Sequence, residues 1–224
     1  MQFIKLIGDF MKKLVILLLL VCLFGCSNAS ANDKKVYAVY IDPGHGGFDG
    51  GSVGEDGTLE KDIALLISLK LRDYFLDLGF NVYMTRTTDA SLNTDPKYAK
   101  RSDILNRVEM INKSDCDCYL SIHLNAFPNK NLYGAQTFYN PINDDNQKVA
   151  LSIQDAFIKI LGNTKRVAKS ISDKYLVEHV NRVGCLVEVG FLSNNKELTN
   201  LKDEKYQDLV AYAIYVGVLE YLAR

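Results

Sequence analysis

What this chain lacks narrows its function before any motif is considered. It has no surplus of basic charge. Its 26 lysines and arginines stand against 27 aspartates and glutamates, so the basic patch or stripe of a nucleic-acid-binding protein is missing. It has no long apolar run: Leu14–Phe24 falls well short of the roughly 20 residues that a membrane-spanning helix needs. It has no internal repeat and no low-complexity tract, which excludes solenoids and arrays. Nor does it carry a disulfide framework. Cys22 and Cys26 belong to the N-terminal apolar segment, and the odd three that remain, Cys116, Cys118 and Cys185, lie in strand-like runs, where unpaired cysteine packs as a small buried hydrophobe. Histidine is scarce too. Only His45, His123 and His179 are available to any imidazole-based site.

The N-terminus reads as a targeting segment. Lys12 and Lys13 precede the apolar run, which ends in Leu23-Phe24-Gly25-Cys26-Ser27-Asn28. A charged start followed by a short apolar core is the pattern of a signal peptide. The ending is similar to a lipobox, with Cys26 as the residue that would carry lipid, although Phe24 stands where a small or β-branched residue is usual. Residues 1–26 are therefore expected to direct export, and residues 27–34 to be a polar tether. The mature protein is either a membrane-anchored lipoprotein or secreted, with membrane contact only through that anchor. The about 190 residues from 35 to 224 suit a single domain with a substantial core.

Along that domain, strand and helix patterns alternate. Strands are predicted at Lys35–Ile41, Asn81–Thr85, Cys116–Ile122, Ala135–Tyr139 and Cys185–Val189 from their β-branched and aromatic content. Helices are predicted at Glu60–Leu78, Ala99–Asn112, Asp145–Leu161 and Lys205–Leu222. The first carries Ile63, Leu66, Ile67, Leu71 and Leu78 at helical spacing, and Gly79 stops it. Such alternation predicts an α/β fold: a single domain with a mostly parallel twisted sheet and helices on both faces.

Three segments share one grammar, an apolar run followed by a polar residue where strand gives way to loop. They are Ile41-Asp42-Pro43-Gly44-His45-Gly46-Gly47, Ser121-Ile122-His123-Leu124-Asn125-Ala126, and Val187-Glu188-Val189-Gly190-Phe191-Leu192-Ser193-Asn194. In open α/β sheets ligands bind at that edge. His45 sits on a glycine-rich loop whose backbone can bend sharply and approach a ligand closely; the plainer reading is a turn histidine bonded to backbone. Glu60 opens the first helix, where a carboxylate is favoured in any case. Alternation places Tyr119, Ser121 and His123 on one face of their strand and Cys118, Leu120 and Ile122 on the other. Asn125 offers an amide to orient substrate. Glu188 lies in an otherwise apolar strand, where a carboxylate is costly to bury unless paired or beside a metal; Arg86 or Arg107 is the candidate ion-pair partner. Arg86, Arg101 and Arg107 are also candidates to hold a carboxylate-bearing substrate. His179 has neither glycine nor a strand end beside it and reads as surface or structural. Together, two histidines and two glutamates are the parts of a hydrolytic zinc site with an open coordination position.

With these positions in view, the chain resembles the zinc-dependent N-acetylmuramoyl-L-alanine amidases of the amidase-3 family, from about Val36 to the C-terminus. Within that family it is similar to the germination-specific amidases of spore formers, through Glu60-Lys61-Asp62-Ile63, Gly134–Tyr139, Arg166-Val167-Ala168-Lys169 and Leu186–Asn194. Val183 departs from the proline usual before the last motif. The resemblance implies one zinc ion held by His45, Glu60 and His123, with Glu188 as the catalytic glutamate; Asn125 and Arg86 are the residues expected at the substrate. It implies peptidoglycan as substrate, cut between N-acetylmuramic acid and L-alanine, and in the spore-former subgroup removal of cortex stem peptides on the way to muramic-δ-lactam. A protein partner that activates or targets the enzyme is an open expectation. The competing readings are a wall-binding or regulatory subunit of the same fold, and a zinc peptidase cutting another peptidoglycan bond.

Overall fold

The computed structural model describes residues 35–224. The expected signal segment, lipobox and tether lie outside the described residues. Six strands form one sheet: β1 (Ala38–Pro43), β2 (Asn81–Met84), β3 (Cys118–Asn125), β4 (Gln136–Tyr139), β5 (Lys169–Ser170) and β6 (Gly184–Phe191). Their order is β2-β1-β3-β6-β4-β5. β1 runs parallel to β2 and β3, and β3 parallel to β6; β4 is antiparallel to β6 and parallel to β5. The helices are α1 (Glu60–Asp77), α2 (Ala99–Lys113), α3 (Asp144–Ala156, continued by a π-type turn to Leu161), α4 (Tyr175–His179), α5 (Asn195–Lys202) and α6 (Glu204–Leu222). The α/β reading and the mostly parallel sheet hold.

Two apolar clusters lie on opposite faces of the sheet, and the strand alternation sorts residues between them. Val39, Ile41, Cys118, Leu120, Ile122, Cys185 and Val187 belong to the larger cluster, with α1, α3 and α6. Ala38, Tyr40 and Tyr119 belong to the smaller one, with Val108 and Ile111 of α2 and Leu176 of α4. On that second face the apolar pattern gives way to polar residues towards the strand C-termini. The smaller layer therefore ends where the polar positions begin, and a cleft opens there.

The details that depart from expectation have local causes. α1 turns Ile63, Ala64, Ile67, Leu71 and Phe75 inward, while Leu66 and Leu78 are exposed, because the helix is fixed by both the sheet and α6. Gly79 follows its C-cap with φ 84°, a left-handed turn that suits glycine. β3 continues past Ile122 to Asn125, since β6 is long enough to pair with it there. β5, α4 and α5 are too short for a periodic signal and were not predicted.

α3 and α6 pack very closely at Gly217, where an added Cβ would lie 2.5 Å from the Ile153 Cα. Gly217→Ala gains about 1 kcal/mol of helix propensity, but overpacking against backbone costs about 1–3 kcal/mol. The expected outcome is a lower urea midpoint with an unchanged slope. A midpoint at or above the parent's would show that the two helices can separate freely.

Candidate metal centre and active site

The polar ends of β1, β3 and β6 meet because the strands are in parallel register. Asp42 pairs with Ser121, and His123 with Glu188. Side chains at paired positions of parallel strands share a face, so His123 and Glu188 stand side by side on the face of the smaller cluster. His45 arrives from the loop after β1. His45, Gly46 and Gly47 have φ values of 58°, 136° and 57°, a run of left-handed backbone that costs a non-glycine residue roughly 1–2 kcal/mol. Surrounding bonds hold it there. The Gly44 amide donates to the Ile122 carbonyl at 2.9 Å, and Arg107 donates to the carbonyls of Pro43 and His45.

Arg107 is itself anchored by a carboxylate. Asp42, fully buried, accepts from the Arg107 guanidinium, the Thr85 hydroxyl and the Ser121 hydroxyl, each at 2.7 Å. Burial raises the Asp42 pKa, but Arg107 and the two hydroxyls outweigh it and hold the carboxyl below its usual range. Arg86 donates to the carbonyls of Pro43, Gly44, Lys61 and Thr88, and only 4% of it is exposed. The expectation that Arg86 contacts substrate is therefore corrected. Its donors are occupied by backbone, it does not line the cleft, and its role is to shape the His45 loop. Arg107 and Arg86 are thus both engaged away from Glu188, and the ion pair considered for that residue does not form. Arg101 lines a separate surface hollow beside α2.

One ligand atom each from His45, Glu60 and His123 lies within 4.8 Å of the others. Glu60 is the hub. Its Oε1 is 2.9 Å from His123 Nδ1 and 3.3 Å from His45 Nε2, and it accepts the Leu124 amide at 3.0 Å. Its Oε2 accepts the Ser52 amide at 2.8 Å. Burial pushes the Glu60 pKa up, but its bonds to the two histidines prevail and hold it well below the carboxylate range. On the far side of His45, Nδ1 meets Asp49 at 2.9 Å, and Lys100 holds the same carboxylate at 2.9 Å. Burial lowers the His45 pKa, while Glu60 and Asp49 together raise it above the ordinary value.

The donor set fits a tetrahedral metal with one open position, since two imidazoles and one carboxylate are a common catalytic zinc set. The cradle is built for close approach. A Cβ at Gly44 would fall 2.3 Å from the His123 ring, and one at Gly51 would fall 2.6 Å from His45 and 2.7 Å from Glu60. Glu188 borders the same cleft of about 550 Å³, as does Asn125. Its Oε2 is buried with no hydrogen-bond partner, and burial raises its pKa from 4.5 to about 7. An unsatisfied buried carboxylate oxygen is rare enough to require a functional account.

Sequence reasoning missed Asp49, whose only signal was its place four residues after His45 in a glycine-rich loop. It also missed Gly51, Lys100 and Lys174, which line the cleft. His179 lies apart, stacked on Tyr175 at 3.9 Å between ring centroids, as a surface residue. The three cysteines of the domain are free and buried, as expected.

Two outcomes are expected from this geometry. Loss of a carboxylate behind a metal-binding histidine costs about 10–100-fold in metal affinity, so Asp49→Asn should weaken zinc binding by that factor in competition with a chromogenic chelator. Unchanged affinity would remove Asp49 from the site. For Glu188, the raised pKa means that the folded state favours the protonated carboxyl. The stability it contributes is complete below pH 4.5 and is lost as pH rises through about 7. In chelator-treated protein, Glu188→Gln should therefore raise the melting temperature over the parent more at pH 8 than at pH 4.5. An equal difference at both would show that Glu188 is not held in a desolvated place.

Known proteins carry the same arrangement of elements. A germination-specific N-acetylmuramoyl-L-alanine amidase of Bacillus subtilis is 47% identical over 187 residues, covering 82% of this chain and 78% of its own. The CwlD amidase of Clostridioides difficile, solved in complex with the GerS lipoprotein, is 39% identical, with a TM-score of 0.80 over 84% of this chain and 98% of that one. An N-acetylmuramoyl-L-alanine amidase from Clostridium difficile 630 follows at 31% identity and a TM-score of 0.75, covering 84% and 97%. The family model described as N-acetylmuramoyl-L-alanine amidase matches residues 39–220, nearly the whole folded domain and every residue of the cluster described above. On that extent, the chain belongs to the amidase-3 family of N-acetylmuramoyl-L-alanine amidases.

Proposed function

We propose that this protein is a zinc hydrolase that cuts the amide between N-acetylmuramic acid and L-alanine in peptidoglycan, with one zinc ion held by His45, Glu60 and His123. The observation that carries the reading is the pairing of His123 with Glu188, which sets a carboxylate with an unpartnered oxygen beside the three-residue cluster. A zinc ion bound there supplies Lewis acidity at the scissile carbonyl and eases deprotonation of water. Glu188 takes the proton from the attacking water at Oε2 and returns it to the amine of the departing L-alanine, so one carboxyl serves as base and then as acid. Asp49 keeps the His45 imidazole oriented through Nδ1, and Asn125 offers its amide to the substrate at the edge of the cleft.

The finer reading is removal of stem peptides from spore-cortex peptidoglycan as a step towards muramic-δ-lactam. Its support is the 47% identity to the germination-specific amidase of Bacillus subtilis. The Clostridioides difficile enzyme was solved together with a lipoprotein, which supports a protein partner that activates or targets this chain as well. The N-terminal sequence supports export, followed by lipid anchoring at Cys26 or by secretion to the cell wall or cortex space.

The test is digestion of purified peptidoglycan by the zinc-loaded protein, with products read by mass spectrometry. Free N-terminal L-alanine and peptide-free muramic acid should accumulate. Loss of a general base typically costs about 10²–10⁴-fold, so Glu188→Gln should fall by that amount while keeping its zinc. Cleavage at another peptide bond would make the protein a zinc peptidase. No cleavage with zinc bound would leave a wall-binding or regulatory subunit.

A further inference from the structure

The charged groups around the cleft satisfy one another with two exceptions. Asp42 and Asp103 share Arg107. Asp49 holds both His45 and Lys100. Glu60 lies between the two histidines. Glu188 and Lys174 remain. The proton chemistry uses Glu188; nothing in it uses Lys174. Lys174 is the residue that precedes α4, and it lines the cleft with His123, Asn125 and Glu188. It is close enough for its charge to act on Glu188, yet it makes no ion pair within 4.0 Å with a carboxylate of the described residues. Its chain neighbour Asp173 is exposed and does not line the cleft. The site thus has one available cation facing the space beside its base.

Resting on the amidase reading, the anion to be expected there follows from the chemistry of the substrate. The glycan next to the scissile bond is uncharged once its lactyl carboxyl is in the amide. On the peptide side, the carboxyl of L-alanine is joined to the amine of D-glutamate, whose γ-carboxyl carries the next residue of the stem, which leaves a free α-carboxylate one residue beyond the bond that breaks. We propose that Lys174 is a specificity residue that receives this carboxylate. The leaving peptide then lies along the α4 side of the cleft, across from Lys100 and α2. An ammonium is a mobile point charge on a flexible stem, suited to meeting the one carboxylate that the leaving peptide carries next to the scissile bond. The selectivity that follows is for stems with a free D-glutamate α-carboxylate over stems in which it is amidated.

The experiment compares MurNAc-L-Ala-γ-D-Glu-L-Lys with MurNAc-L-Ala-γ-D-isoglutaminyl-L-Lys, the glutamate and isoglutamine compounds, which differ only in that group. A hydrogen bond to a charged group contributes about 1.5–3 kcal/mol, so the zinc-loaded parent should prefer the glutamate compound by roughly tenfold or more in kcat/KM, mainly through KM. Lys174→Met should abolish the preference, and Lys174→Arg should keep most of it. Equal turnover of both compounds by the parent would overturn the proposal. So would an equal fall in kcat on both in Lys174→Met, which would make Lys174 a modulator of Glu188 rather than a receptor. Calorimetric binding of the same pair to zinc-loaded Glu188→Gln separates this proposal from the amidase reading. Discrimination that depends on Lys174 there, without hydrolysis by the parent, would uphold the carboxylate site and remove the amidase. No discrimination in binding would overturn the carboxylate site, whatever the parent cleaves.

Discussion

Asp42 has no contact with water, and yet it carries a charge. It sits at the end of β1, where the apolar core gives way to the cleft, and it is held by Thr85 after β2, Ser121 of β3 and Arg107 of α2. A buried pair of this kind adds little net stability, because desolvating both charges offsets most of their attraction, but breaking it by removing one partner is severe, about 3–5 kcal/mol. What it supplies here is placement. Arg107, fixed by Asp42 and Asp103, donates onward to the backbone of Pro43 and His45. The left-handed turn that presents His45 is thus tied through one arginine to the sheet and to α2, and Arg86 ties the same turn to α1 through the Lys61 carbonyl.

The other half of the site depends on register. In a parallel pair, residues opposite each other lie on one face, so the pairing of His123 with Glu188 decides that these two side chains are neighbours. A slip of one residue would turn one of them into the larger core. Long apolar strands guard against this, since Leu120, Ile122, Cys185 and Val187 must all remain on the other face. Core packing and active-site geometry are therefore set by the same alternation. The Glu188 carboxyl is the exception that the core tolerates, a group whose buried oxygen has no partner and whose pKa is displaced to about 7.

Much of this was legible beforehand, for identifiable reasons. Long elements with a strong period, such as α1 and β3, declared themselves, and a glutamate within Cys185–Val189 stood out because charge in an apolar strand is expensive. His45, Glu60, His123 and Glu188 were recognisable as parts of one site. Short elements were not legible: α4 has five residues, too few for a period, although it carries the wall of the cleft where Lys174 stands. The role of Arg86 was not legible either. An arginine after a strand end looks the same in sequence whether it meets a substrate or four carbonyl groups, and only the path of the His45 loop distinguishes them. In α1 the helical period alone does not locate the buried stripe, since Leu66 and Leu78 satisfy it and still face solvent.

By itself the sequence determined which residues could do chemistry, because residue type and local context govern the cost of burying a charge or bending a loop, and both are properties of short segments. It also determined the α/β class, because alternating periods of two and 3.6 residues are local as well. The tertiary structure alone decided which of those residues meet. Strand order, register and the Asp42–Arg107 anchor bring together positions as far apart in the chain as 45 and 188, and no local pattern encodes such a meeting. It likewise decided which charges are used up by one another and which, like that of Lys174, are left facing the cleft, since pairing is a property of distance in space and not of distance along the chain.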